Sequence, residues 1–141
     1  MSTIKHPKDS LTVMTQIVMP NDTNQMNNLF GGQLLSLMDR CCAIAAHRHC
    51  KRQVVTSTIN NVAFKNAIPH GSIVTIEAKV SRAFSSSMEI IADVFLEEQR
   101  PNGARIKANE GIFTFVAVDQ LGNPINIPKI EPETELEKDV M

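Results

Sequence analysis

Between Gly31 and Cys50 the chain reads GGQLLSLMDRCCAIAAHRHC, and from Leu34 to Ala46 only Ser36, Asp39 and Arg40 interrupt the apolar side chains. Leu, Met and Ala favour helix. A helix that is apolar almost all round has to be buried. A chain of 141 residues has room for one ordinary core, so the remainder must be arranged to cover this segment. His47, Arg48, His49, Lys51 and Arg52 gather at its C-terminal end, where positive charge complements the negative pole of the helix dipole.

What remains reads as strands. Leu11 to Met19 alternates with a period of two and stops at Pro20, and Asn21 to Asn28 is a polar loop leading into the helix. Val54 to Phe64 is rich in Val, Thr and Ile. Val74 to Val80 and Met88 to Leu96 alternate apolar with polar residues on either side of a serine-rich bend. A turn at Arg100 to Gly103 leads into Ile106 to Val118, and Gln120 to Pro124 closes the run. The order β-α-β-β-β-β excludes a doubly wound fold, which alternates strand and helix. The expected class is α+β, an antiparallel sheet wrapped around one long central helix, the hotdog arrangement. Residues 1–128 are expected to form a single domain and 129–141 an acidic, flexible tail.

Charge and composition narrow the function. The net charge of -1, from 14 basic and 15 acidic residues, lacks the basic excess of a nucleic-acid binder, and without Trp or Tyr any base stacking would rest on six Phe. No apolar run approaches the roughly 20 residues of a membrane span, and the N-terminus lacks a signal-peptide core. Cys41, Cys42 and Cys50 lie in one short stretch with no distant partner, which points to reduced thiols and a cytoplasmic protein. His47 and His49 are two apart on a helix and do not share a face, and no CxxC or HExxH spacing accompanies them, so no metal site is expected.

Asp39 is the anomaly of the helix. Leu35, Ser36, Cys42 and Ala43 are its neighbours at helical spacing, and none can neutralise it. It must find a partner outside the helix or have its pKa raised by desolvation. A carboxylate at the polar edge of the helix, bonded to a loop, serves that description as well as a functional acid. Gly31 and Gly32 stand where the loop enters the helix. First-turn N–H groups there lack intrahelical acceptors and suit an oxyanion or a polarised carbonyl, although two glycines also permit a merely tight entry. The axial separation of Gly32 and Asp39 is roughly 10 Å at 1.5 Å per residue. A base activating a water should lie about 5 to 6 Å from the carbonyl. One helix can hardly supply both groups, so a site using both takes them from two subunits. Ser85, Ser86 and Ser87, beside Arg82, make a solvated bend that could hold phosphate.

The run from Met19 to Cys50, MPNDTNQMNNLFGGQLLSLMDRCCAIAAHRHC, resembles the cytosolic acyl-CoA hydrolases of the hotdog superfamily, with their Pro-x-Asp-x-Asn loop, Gly-Gly helix entry and helical Met-Asp. The likeness continues through VVTSTINNVAF, SRAFSSSMEI and FTFVAVDQLGNPINIP, and so covers the chain from Leu11 to Pro128. It implies hydrolysis of an acyl-CoA thioester to acid and CoA, without metal or cofactor, in a homodimer that assembles further to a hexamer, a trimer of dimers. It puts the acid on Asp39, as general base or as a nucleophile giving a mixed anhydride, a loop amide on Asn24, and the carbonyl-polarising amides on Gly31 and Gly32. Arg82 with the serine bend is expected to meet CoA phosphates, with Arg48, Lys51 or Arg105 as helpers. Asn27 replaces the glycine usual in the loop, and Asn tolerates positive φ better than most residues. The rival reading is a non-catalytic acyl-CoA-binding module, which has no need of an unpaired acid in an apolar helix.

Overall fold

The computed structural model describes residues 4–97 and 103–131. Along the chain run β1 (Ile4–Lys5), β2 (Thr12–Ile17), α1 (Gly31–Cys50), β3 (Gln53–Phe64), β4 (Ile73–Ala83), β5 (Ser87–Glu97), β6 (Arg105–Val118) and β7 (Lys129–Ile130), with single 3-10 turns at Pro7–Ser10 and Pro20–Asp22. Five of these strands form one antiparallel sheet in the order β2-β4-β5-β6-β3. The helix lies on one face of that sheet. Of the expected turn at Arg100 to Gly103, all but Gly103 lies outside the described residues.

The alternation anticipated in β4 and β5, continued by β6, builds the core. Val74, Ile76, Ala78 and Val80 of β4, Met88, Ile90, Ala92, Val94 and Leu96 of β5, and Phe113, Phe115 and Ala117 of β6 are buried beneath the helix. One extra residue in β6, Ala108, shifts the alternation. Val94 pairs with Asn109 and Phe95 with Lys107, so Ala108 bulges and both it and Asn109 are buried. The Asn109 carboxamide oxygen accepts the Lys65 N–H at 2.7 Å where β3 ends, which satisfies the polar group that the bulge turns inward.

The helix is buried on one side only. Leu34, Met38, Cys41, Cys42, Ala45, Ala46, His49 and Cys50 recur at helical spacing and are buried. Arg40, Ile44 and His47 point away from the sheet, and Ile44 keeps 40% of its surface exposed. A five-stranded sheet can curl over only part of one helix, so burial all round would need a further layer that a single chain does not supply. A comparable remainder appears on β2. Thr12 is buried and Met14 half-buried, while Val13 (52%) and Ile17 (55%) face outward on this edge strand.

β1 and β7 meet at the C-terminal end of α1. Lys129 and Ile130, the first residues of the expected tail, pair in parallel with Ile4 and Lys5; residues 132–141 lie outside the described residues. The Lys5 ammonium donates to the His49 carbonyl at 2.7 Å, and His49 Nε2 lies 2.7 Å from the Pro128 carbonyl. His49 is buried, its Nδ1 has no partner among the described residues, and burial first of all holds its pKa below the ordinary 6.5. The unfolded chain therefore takes up a proton before the folded one as pH falls. This contribution to stability is intact above about pH 6.5 and is lost as acid carries the pH down toward the folded-state value. Urea denaturation at pH 7.5 and 5.5 should show a fall in stability that is smaller in His49→Gln.

Gly111 of β6 sits against Met38 of the helix and Val62 of β3. A Cβ there would meet Val62 Cγ2 at 3.0 Å, Met38 Cε at 3.1 Å and Phe113 Cε1 at 3.3 Å. Gly111→Ala should therefore cost about 1–3 kcal/mol through overpacking, read as a lower urea midpoint with an unchanged m-value.

Candidate active site

Asp39 finds its partner outside the helix. The residue is half-buried, and Oδ1 accepts the Thr56 hydroxyl at 2.9 Å in a solvent-exposed hydrogen bond. Oδ2 has no hydrogen bond among the described residues. Thr56 lies on β3, paired with Phe115 of β6, so the sheet fixes the hydroxyl that orients the acid. Sequence reasoning missed Thr56, because a threonine in a run of Val, Thr and Ile reads as strand propensity. The signal available was the Asp39 requirement for an external partner, combined with a hydroxyl-rich strand directly after the helix.

Asn24 organises the loop that precedes the helix. Its Oδ1 accepts the N–H groups of Met26 at 2.9 Å and Asn28 at 3.2 Å, an Asx-turn arrangement that holds the loop in shape. The Asn24 N–H donates to the Asn28 carbonyl at 2.8 Å, and Asn27 takes φ 60°, the left-handed conformation that asparagine tolerates. With Oδ1 committed, Nδ2 is the group left to donate; it has no partner among the described residues. Asp22 ties this loop to the helix entry. Its Oδ1 accepts Gln33 Nε2 at 3.1 Å, its Oδ2 accepts the Met19 N–H at 3.2 Å, and its carbonyl accepts the Phe30 N–H at 3.0 Å.

The helix begins at Gly31 with no side-chain cap from Phe30, and the first intrahelical bond runs from the Leu34 N–H to the Phe30 carbonyl at 3.0 Å. N–H groups of the first turn therefore remain to be satisfied from outside. A Cβ on Gly31 would touch the Phe64 ring at 3.6 Å, whereas one on Gly32 would meet nothing within 4 Å. Packing within the chain gives Gly32 no reason to be glycine. Asn24 and Gly32 thus stand at one end of α1, and Asp39 with Thr56 about two turns further along.

The expected phosphate contacts do not form one cluster within a chain. Arg82 lies 3.9 Å from the Glu89 carboxylate beside the serine bend, where the Ser85 and Ser86 carbonyls accept the N–H groups of Ile127 and Ala117 at 3.0 and 2.9 Å. Arg48 is occupied with the Leu11 carbonyl at 2.8 Å and the Thr12 hydroxyl at 3.1 Å, fastening the helix to β2. Arg105 pairs with Glu77 and stacks 3.7 Å from the centre of the Phe95 ring. It stands at the Glu97 end of β5, a strand length of roughly 35 Å from Ser87 at the other. Within one chain Arg105 therefore stands far from the serine bend. Lys51 lies with the bend at the opposite end of the sheet.

All three thiols are buried. Burial raises the Cys41 pKa to about 11 and pushes Cys42 and Cys50 up as well, which removes them as nucleophiles near neutral pH. His47 and His49 diverge, the first exposed with Nδ1 3.0 Å from the Arg52 carbonyl, the second buried against Pro128. Among the described residues no helix is long and apolar enough to cross a membrane, and no cluster of three His, Cys, Asp or Glu could hold a metal ion.

Residues 26–101 match the thioesterase superfamily. The chain is 41% identical over 130 residues to a Bacillus subtilis protein named as an uncharacterized acyl-CoA thioester hydrolase, YkhA, covering 92% of this chain and 75% of the other. It is 33% identical over 138 residues to the cytosolic acyl coenzyme A thioester hydrolase of Rattus norvegicus, spanning 97% of this chain but only 35% of that longer protein. The Staphylococcus aureus acyl-CoA hydrolase, solved with butyryl coenzyme A, coenzyme A and coenzyme A disulfide, superposes with a TM-score of 0.91 at 34% identity, over 96% of this chain and 82% of that one. Its solved variants include single replacements of an asparagine, an aspartate and a threonine by alanine, spaced along that chain as Asn24, Asp39 and Thr56 are along this one. A hexameric acyl-CoA thioesterase superposes with a TM-score of 0.93 at 34% identity, over 98% and 88% of the two chains.

The two roles of Asn24 can be separated by substitution. Asn24→Ala leaves two loop N–H groups without their acceptor and should lower stability by about 1 kcal/mol. Asn24→Asp keeps the acceptor and should not, as urea denaturation of the two variants will show.

Proposed function

The chain belongs to the thioesterase superfamily, and from that premise we propose that it hydrolyses acyl-CoA thioesters to the free acid and CoA in the cytoplasm, without a metal or cofactor. The observation that carries this reading is the ionisable group in the helix, Asp39, with one oxygen fixed by Thr56 and the other without a partner among the described residues. A binding module has no use for such an acid.

The chemistry follows from the groups available. The thioester carbonyl is held with its oxygen toward the first-turn amides around Gly31 and Gly32 and the Asn24 Nδ2, donors that strengthen as the oxygen becomes negative. Asp39 from the other subunit takes a proton from water through Oδ2 while Thr56 holds Oδ1, and the hydroxide attacks the carbonyl carbon. Collapse of the tetrahedral oxyanion breaks the carbon–sulfur bond, and the proton on Asp39 passes to the departing thiolate. Gly32 suits this use, since a side chain there would occupy the space into which the carbonyl comes. The catalytic unit in this reading is a homodimer. The exposed Val13 and Ile17 of β2 suit further assembly into a hexamer, the trimer of dimers.

Asp39→Asn preserves the shape and removes the base. Turnover of acyl-CoA, followed by thiol release, should fall by about 10²- to 10⁴-fold with little change in melting temperature, and wild-type activity should survive excess chelator. Asn24→Asp should also lose turnover, because it keeps the loop but not the donor. A folded Asp39→Asn protein with wild-type turnover contradicts this mechanism, and acyl-CoA binding without any wild-type hydrolysis would favour the binding module.

A further inference from the structure

Phe64 ends β3 with 55% of its surface exposed. Among the described residues its ring belongs neither to the buried core nor to the half-buried side chains packed on that core. Its place is nonetheless fixed. Phe64 pairs with Asn109 of β6, and the next N–H along β3, that of Lys65, donates to the buried Asn109 carboxamide at 2.7 Å. The ring is thereby held beside the entry of α1. Its Cε1, Cζ and Cδ1 stand 3.6, 3.7 and 4.0 Å from where a Cβ of Gly31 would be, which puts the ring edge within about 5 Å of the Gly31 Cα. A Cβ on the adjacent Gly32 would meet nothing within 4 Å. The N–H groups of Gly31, Gly32 and Gln33 have no intrahelical acceptor, and Phe30 supplies no side-chain cap. A large apolar surface therefore flanks these donors at Gly31, while the approach at Gly32 is open.

We propose that Phe64 is a positioning residue for thioester hydrolysis: its ring keeps water off the first-turn amides, so that the thioester oxygen arriving over Gly32 meets donors that are not already hydrated. The inference rests on the thioesterase reading for the reaction. A hydrogen bond to a developing negative charge is worth more where water is excluded. A donor hydrated from the side has to give up that water before it can serve the oxyanion. A polar side chain would suit the exposed end of an edge strand equally well, but it would compete for the same amides, whereas a phenyl ring carries no group that could. The ring touches no reacting atom in this role and acts through the amides alone. The Ala108 bulge and the Asn109 carboxamide then bear on the site as well, since they fix where β3 ends and with it the ring.

The test uses three variants of the full chain. Phe64→Ala and Phe64→Gln remove the apolar wall, the second keeping most of the side-chain length, and Phe64→Leu preserves it. Because the ring lies outside the core, melting temperatures should stay near that of wild type, and Phe64→Gln carries the test if Phe64→Ala does not fold. With acetyl-CoA and hexanoyl-CoA alike, kcat should fall about tenfold in the Ala and Gln variants, less than the loss of a whole donor, with KM within about twofold of wild type. Phe64→Leu should restore most of the turnover. An unchanged kcat overturns the proposal, and so does a KM that rises with acyl length, which would make the ring a contact for the chain instead. The second readout needs no hydrolysis. In the ketone analogue of acyl-CoA whose sulfur is replaced by a methylene, the NMR resonance of the carbonyl carbon should move downfield on binding to wild type, as the amides polarise it. It should return toward its free position in the Ala and Gln variants but not in Phe64→Leu. That pattern upholds the proposal even if no thioester is cleaved, so a failure of the thioesterase reading is told apart from a failure of this one. No binding to wild type, no shift there, or an equal shift in Phe64→Ala overturns it.

Discussion

An α-helix rises about 1.5 Å per residue, and that rise separates the two chemical features of α1. The first-turn amides at Gly31 and Gly32 and the carboxylate of Asp39 belong to one rigid element, roughly 10 Å apart along its axis, so one chain can hardly bring both onto the same carbonyl. In the proposed mechanism a thioester bound at the helix start takes its base from elsewhere. A second copy of this chain, lying antiparallel, would place its own Asp39 there and receive the same service in return, as a two-fold interface requires.

The sheet leaves room for that copy. β3 is an edge strand, and most of its residues are exposed, Val55 and Ile59 among them. Its pairing with β6 shifts register after Thr56 and again after Asn60, where Asn61 adopts φ 55°. Bulges of this kind re-aim side chains; the first lies at the threonine that holds Asp39. The uncovered face of α1, with Arg40, Ile44 and His47, opens to the side away from the sheet. The features that make the isolated chain look unfinished are those that flank the acid.

Much of the fold was legible because burial imposes a period. The helix runs over the residues expected, and β4 and β5 differ from expectation only at their ends, since each alternation follows from one wet and one dry face, whereas the Ala108 bulge inside β6 was not foreseen. The pairing of Ile4–Lys5 with Lys129–Ile130 was not legible, because two-residue strands carry no period. The one-sided burial of α1 was also missed, since an apolar residue left outside the core looks in sequence like one that faces it. In the site, Asp39 stood out as a charge with no local answer. Thr56, which supplies the answer, did not, because its role depends on where β3 lies beside the helix.

The shared site is the central claim, and mixed dimers test it most directly. Asn24→Ala and Asp39→Ala proteins, each nearly inactive alone, are combined under conditions of confirmed subunit exchange and assayed for thiol release from acyl-CoA. With random pairing, half the dimers are mixed and each regains one intact site, so about a quarter of wild-type activity should return. If activity stays at the level of the separate variants after exchange, the amide and the acid act within one chain, and the two-subunit site is contradicted.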